Sequence, residues 1–225
     1  MFYLIPTKNG LGIELWGTYD DIRTVYSVIA NFWNQEDYIT KKGFANRDQL
    51  ISGFSYEIRK AYEESRLKRK NSHFSNESCN LFGCEISWVH FLFSITALRF
   101  NMKYIESNKL EIATFLQLEY WLEKAMIDYD KNGGNELKNY ISGAIYAGNE
   151  NMYQYMRTIN AEHFRLGGGK KAFRNLPSLL NKSVYNTKEY REYLKILEQE
   201  AVRLKCDIAD LEIDDNDIDY ENIKL

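Results

Sequence analysis

Four residues able to ligate a metal stand near one another in this chain: His73, Cys79, Cys84 and His90, spaced His-x5-Cys-x4-Cys-x5-His. Thiolate and imidazole are the ligands of a tetrahedral zinc site. The intervals are wider than the Cys-x2-Cys knuckles that chelate tightly, so the cysteines read as small buried hydrophobes, and no metal or other cofactor is expected. A second cluster is basic. Gly167-Gly168-Gly169-Lys170-Lys171, with Arg174 just beyond, sets glycine backbone and three cations at a helix start, an arrangement that binds phosphate. It is not a Walker A loop, because Phe164 stands at the first glycine position and Lys171 at the hydroxyl position; a helix stop and connector explain the segment as well. His90 and His163 titrate in the range useful to a general base, yet neither has a recognisable serine, cysteine or aspartate partner. Arg99 falls between apolar positions and needs solvent or a carboxylate; Glu57, Glu85, Glu119 and Glu123 are the candidates. Asp215, Asp217 and Asp219 open like a calcium loop, but Tyr220 takes the glycine position and the chain stops before the closing glutamate. The candidate binding residues are therefore His90, Arg99, Asn101, His163, Lys170, Lys171 and Arg174, with no catalytic residue assigned.

These side chains depend on helices for their placement. Asn80 to Met102 is almost wholly apolar and reads as the core helix, with Ile86 to Met102 as its body. On a helical wheel Ser87, His90, Ser94, Ala97 and Asn101 share one stripe of small or polar groups, and large apolar side chains cover the rest. The stripe reads first as a packing seam, since small residues three and four apart let a neighbouring helix approach. At about 17 residues, with Arg99 inside, the helix is too short and too polar to span a membrane.

The other elements follow from periodicity. Phe2 to Thr7 and Leu11 to Trp16 form a hairpin around Asn9-Gly10, and Thr18 caps a helix that ends near Asn34. A second helix is expected from about Arg47 to Arg69, ending in a basic run that suits the helix dipole, and Asn71 to Ser78 reads as a loop. Lys109 to Asp130 is helical and stops at a turn, Lys131-Asn132-Gly133-Gly134. Shorter helices are expected over Leu137 to Ile145, Met152 to Leu166 and Lys170 to Leu180, and a last long one after Thr187. The acidic segment 207–225 alternates Leu211 with Ile213 and Ile218 with Tyr220, which supports a hairpin able to join the N-terminal sheet as readily as an acidic tail. The whole is one α+β domain, mainly α: hairpin 1–17, helical core 18–205 and acidic segment 207–225.

Composition narrows the function. The 225 residues carry a formal net charge of −3, which offers no global attraction to nucleic acid or anionic lipid. Three cysteines and no secretory leader fit a cytoplasmic protein. With no complete catalytic motif, the reading leans to a non-enzymatic protein-binding or regulatory module, immunity- or antitoxin-like or tied to defence. Its partner is an unidentified protein, homodimerisation is a secondary expectation, and membrane and nucleic acid are disfavoured. The rival is a nucleotide, nucleic-acid or phosphate-binding protein that uses loop 167–174, with His163 or His90 as base. Two segments, Asn9-Gly10-Leu11-Gly12-Ile13-Glu14-Leu15-Trp16-Gly17-Thr18-Tyr19-Asp20-Asp21 and Ile86-Ser87-Trp88 with Phe91-Leu92-Phe93 and Leu98-Arg99-Phe100-Asn101, resemble an uncharacterised bacterial family of unknown function. The resemblance implies a small intracellular protein and transfers no activity, cofactor or site residue.

Overall fold

The computed structural model describes residues 1–34, 43–71, 79–220 and 222–225, with backbone alone at Asn71 and Cys79. Asn9 and Gly10 turn the chain between β1 (Tyr3–Pro6) and β2 (Gly12–Gly17), which pair antiparallel with Tyr3 opposite Trp16. Thr18 then caps α1 (Tyr19–Ala30): its hydroxyl accepts from the Asp21 amide while the Asp21 carboxylate accepts from the Thr18 amide, a closed capping box.

The helix α2 (Phe44–Tyr62) is shorter than the periodicity predicts. The basic run after it is not a helix end but a strand, β3 (Leu67–Asn71). It is one of the two edge strands of a four-stranded sheet of order β1-β2-β4-β3, where lysine and arginine deter pairing with other chains. Its neighbour β4 (Cys79–Ser87) is the first half of the apolar stretch expected to be helical. Leu81, Phe82, Cys84 and Ile86 are all buried, so both faces of the strand are covered and no polar alternation marks it. β4 pairs with β2, Gly12 opposite Ser87, and Ser87 immediately caps α3 (Trp88–Asn101) through its hydroxyl, which accepts from the His90 amide at 3.1 Å.

α4 (Lys109–Tyr129) is as expected, but the Lys131–Gly134 turn is the first turn of α5 (Lys131–Asn139). The two glycines permit close packing rather than a helix stop. A Cβ at Gly134 would lie 2.7 Å from the backbone of Met126, and one at Gly133 would lie 2.9 Å from the Phe173 ring. Asp130 caps α5 by accepting from the Gly133 amide at 2.9 Å. A π-helical segment, Tyr140–Ala144, follows, then α6 (Met152–Arg165), α7 (Gly169–Leu180) and α8 (Lys188–Leu204). Among the described residues the C-terminal segment forms no strand; β3 and β4 occupy the sheet positions predicted for it. It runs as an irregular strap. Gln154 donates to the carbonyls of Ala209 and Leu211, Arg165 makes two bonds to the Asp217 carboxylate, and Asn9 donates to the carbonyls of Lys224 and Leu225.

One hydrophobic cluster runs from the inner face of the sheet through α1, α2 and α3 to α8, with α3 buried on nearly every side. No described helix is long and apolar enough to cross a membrane.

Candidate functional site

The predicted site residues have separate surroundings. His73 and the Cys79 side chain, half of the zinc set, lie outside the described residues. Cys84 is fully buried, which pushes its thiol pKa up, and no group of three His, Cys, Asp or Glu side chains among the described residues is placed to hold a metal. His90 turns toward α2, its Nε2 lying 3.2 Å from the Leu50 carbonyl, and a Cβ at Gly53 would lie 3.5 Å from its ring. The seam of α3 thus packs on α2, and burial holds the His90 pKa below the ordinary value. His163 is wholly enclosed in α6, and neither ring nitrogen has a hydrogen-bond partner among the described residues. Burial lowers its pKa to about 4, so it is neutral at pH 7.

The glycine loop is packed against the hairpin. Gly167, Gly168 and Gly169 all adopt positive φ, and the Gly169 amide donates to the Asn9 carbonyl at 2.8 Å. Of the three cations predicted there, Arg174 is committed to Asp130 through two bonds of 2.9 and 2.6 Å. That guanidinium, with the Gly133 amide, holds the Asp130 carboxyl well below the usual range. Lys170 and Lys171 remain exposed, and Lys171 lines an open depression with Gly168 and Arg174.

Asn101 and Arg47 form a buried pair that the sequence does not announce. The Asn101 amide group donates to the Phe32 carbonyl at 2.9 Å, and its oxygen accepts from Arg47 Nε at 2.9 Å. Arg47 also donates to the Ala147 carbonyl at 3.0 Å and stacks its guanidinium 4.4 Å from the Phe100 ring centroid. Both side chains are inaccessible to solvent. Replacing Asn101 with leucine leaves the Phe32 carbonyl and one guanidinium N–H unmatched, so unfolding in urea is expected to show a loss of about 2 kcal/mol. A loss below about 0.5 kcal/mol would show that neighbouring groups take over both bonds.

Arg99 does find a carboxylate, and it is Glu119. Nε to Oε1 is 2.8 Å and Nη2 to Oε2 is 2.5 Å, a bidentate pair. The glutamate is nearly buried while the arginine side chain keeps 44% of its surface, so the pair fixes a guanidinium that still faces outward. It faces a groove of about 700 Å³ between the last turns of α3 and the π-helical segment. Lys103 and Phe100 line the same groove, the ammonium 5.0 Å from the ring centroid. The opposite wall is the backbone from Ser142 to Gly148. Gly143, at φ 109°, turns the chain there, and a short bridge between Ile145 and Val184 pins it. Tyr146 and Tyr185 stand on the rim with ring centroids 4.6 Å apart, and Tyr190, Tyr155 and Tyr193 continue the aromatic contacts inward. No acidic side chain lines the groove among the described residues. It therefore presents the Lys103 ammonium, a guanidinium whose charge Glu119 already balances, a pair of partly exposed phenol rings and a wall of turning backbone.

Sequence reasoning marked Arg99 and missed the rest. Tyr146 and Tyr185 lie 39 positions apart in irregular segments, where no periodicity points to them. The one available signal was the pair of glycines, Gly143 and Gly148, around an otherwise apolar run.

Neither a curated protein nor a solved structure matches this chain. The profile of a domain of unknown function, DUF6904, matches residues 2–224, and the chain belongs to that family.

Proposed function

We propose that the chain is a non-enzymatic protein-binding module, and that the groove at Arg99 takes an extended acidic segment of a partner protein. The observation that carries this reading is the preset guanidinium. Glu119 fixes its geometry in advance, so a partner carboxylate meets an oriented donor without ordering a long side chain first. Arginine and tyrosine are also the residue types that dominate binding hot spots, and both stand here beside Lys103. A protein ligand suits the groove better than a nucleic acid, because two lining cations fall short of the roughly 6–10 phosphate contacts of a typical footprint. The acidic C-terminal segment uses Asp217 internally, on Arg165. The non-enzymatic reading is supported by the two histidines: His163 is enclosed, and His90 is engaged with a backbone carbonyl.

The test is fluorescence anisotropy with labelled peptides of equal aromatic content, one rich in Asp and Glu, the other in Lys. The acidic peptide is expected to bind, and to weaken as salt rises. Arg99→Ala should weaken it about thirty-fold and Tyr185→Ala about ten-fold. Tyr185 is largely exposed, so its loss leaves the fold intact. Equal binding of both peptides, or an acidic peptide insensitive to both variants, refutes the reading. Binding of single-stranded oligonucleotide that disappears in Lys170→Ala/Lys171→Ala would transfer the function to the glycine loop.

A further inference from the structure

Along α4, Lys109, Ile112, Ala113, Leu116, Tyr120, Glu123 and Ile127 form one stripe in which each level lies three or four positions from the next, Ile112 and Ala113 sharing a level and Glu123 reaching across to Lys138 of α5. Leu116 and Tyr120 are more than half exposed, and Ile112 is 40% exposed, on a helix whose other face is buried. Exposed apolar side chains scattered singly need no explanation, but a continuous stripe over three turns does.

The order of side chains says what covers it. Ile112 and Tyr120 lie four residues either side of Leu116, and Lys109 and Glu123 lie seven either side. Turned end for end, the stripe is its own complement. In an antiparallel pair centred on Leu116, each Ile112 meets the other chain's tyrosine, and each Lys109 meets the other chain's glutamate. At 1.5 Å per residue the charged pairs stand about 10 Å from the centre, two helical turns on either side. Ala113 is small enough to let the backbones approach. Glu123 is bridged by Lys138 through one carboxylate oxygen at 2.7 Å, with both partners about four-tenths exposed, so it can accept a second cation. We infer that the chain forms a two-fold symmetric homodimer through α4, with Leu116 on the axis. The two copies use the same surface and close on each other, so the assembly stops at two. One helix pair sits near the lower size limit of specific interfaces, about 1,000 Å² in total, so the dimer dissociates on dilution. This surface is distinct from the groove at Arg99.

The test is sedimentation velocity of the full chain across a concentration series. A monomer–dimer equilibrium is expected. Leu116→Arg should raise the dissociation constant at least a hundred-fold, and Lys109→Glu, which places like charges opposite each other twice, about ten-fold. Lys109→Glu combined with Glu123→Lys should restore the parental value. Leu116→Cys should form a disulfide-linked dimer under mild oxidation faster than the parental chain, because a residue on the axis meets its own copy. These positions are on the surface, so circular dichroism should show the folded chain in each variant. A chain that remains monomeric at its highest soluble concentration overturns the inference. So does a dimer that survives Leu116→Arg, a charge swap that fails to restore association, or Leu116→Cys cross-linking no faster than the parental chain.

Discussion

Trp88→Ala is expected to lower stability by about 4 kcal/mol, a large part of the roughly 5–15 kcal/mol available to a domain of this size. Trp88 opens α3, is inaccessible to solvent and wedges between three elements. Its ring centroid lies 5.2 Å from that of Phe173 on α7 and 6.3 Å from that of Tyr129 on α4. Its indole N–H donates to the Gly10 carbonyl at 3.0 Å, which ties the β1–β2 turn to the helix. Alanine removes the wedge and this tie together, and helices meeting at the site cannot all move in to fill the space. Trp88→Phe keeps most of the ring and loses only the hydrogen bond, so it should cost about 1–2 kcal/mol. Urea denaturation of both variants separates the two contributions. If alanine and phenylalanine cost the same, packing at the wedge is not what stabilises the junction.

His163→Leu is expected to stabilise the protein, and more strongly in mild acid than at neutrality. The unfolded chain takes up a proton on this histidine near pH 6.5, whereas the folded chain does so only at about pH 4. Between those values the unfolded state holds more protons, so stability is complete above pH 6.5, falls as the pH drops through the window, and levels off below it. The separation corresponds to about 3 kcal/mol. His90, also held low by burial, contributes with the same sign, so the informative quantity is the difference between parent and variant. Leucine also removes two ring nitrogens that lack hydrogen-bond partners, which should add about 1 kcal/mol at pH 7. Denaturation at pH 7 and pH 5 measures both effects. An unchanged slope between those pH values would show that His163 does not carry the acid sensitivity.

The sequence is most readable where an element has one wet face and one dry face. α1, α4, α6 and α8 have both, and Thr18, Asn108 and Thr187 cap three of them with side-chain hydrogen bonds. It is least readable where burial is two-sided or where charge has two meanings. β4 is covered on both faces and continues without a break into α3, so its apolar run looks like more of the same helix. Lys68, Arg69 and Lys70 suit either a helix C-terminus or a guarded sheet edge, and only the partner strand decides. Gly133 and Gly134 show the same ambiguity, because a glycine demanded by close packing is written like one that ends a helix. For the site, Arg99 is legible because a charge among apolar residues requires a partner. Arg47 is not, because its position at the start of α2 looks like an ordinary polar residue until the helix end proves to be enclosed.

Ser87 belongs to two elements at once, paired opposite Gly12 in the sheet and capping α3. With no linker between them, strand and helix behave as a single stiff rod. The helix half of the rod is about 21 Å long, and Arg99 and Phe100 sit at its far tip. A segment docking there as proposed would press on a helix braced directly by the sheet. Adjustment to a bound partner must then come from the opposite wall of the groove, where the backbone turns at Gly143. On the proposed reading, the groove is in mechanical terms an anvil facing a spring.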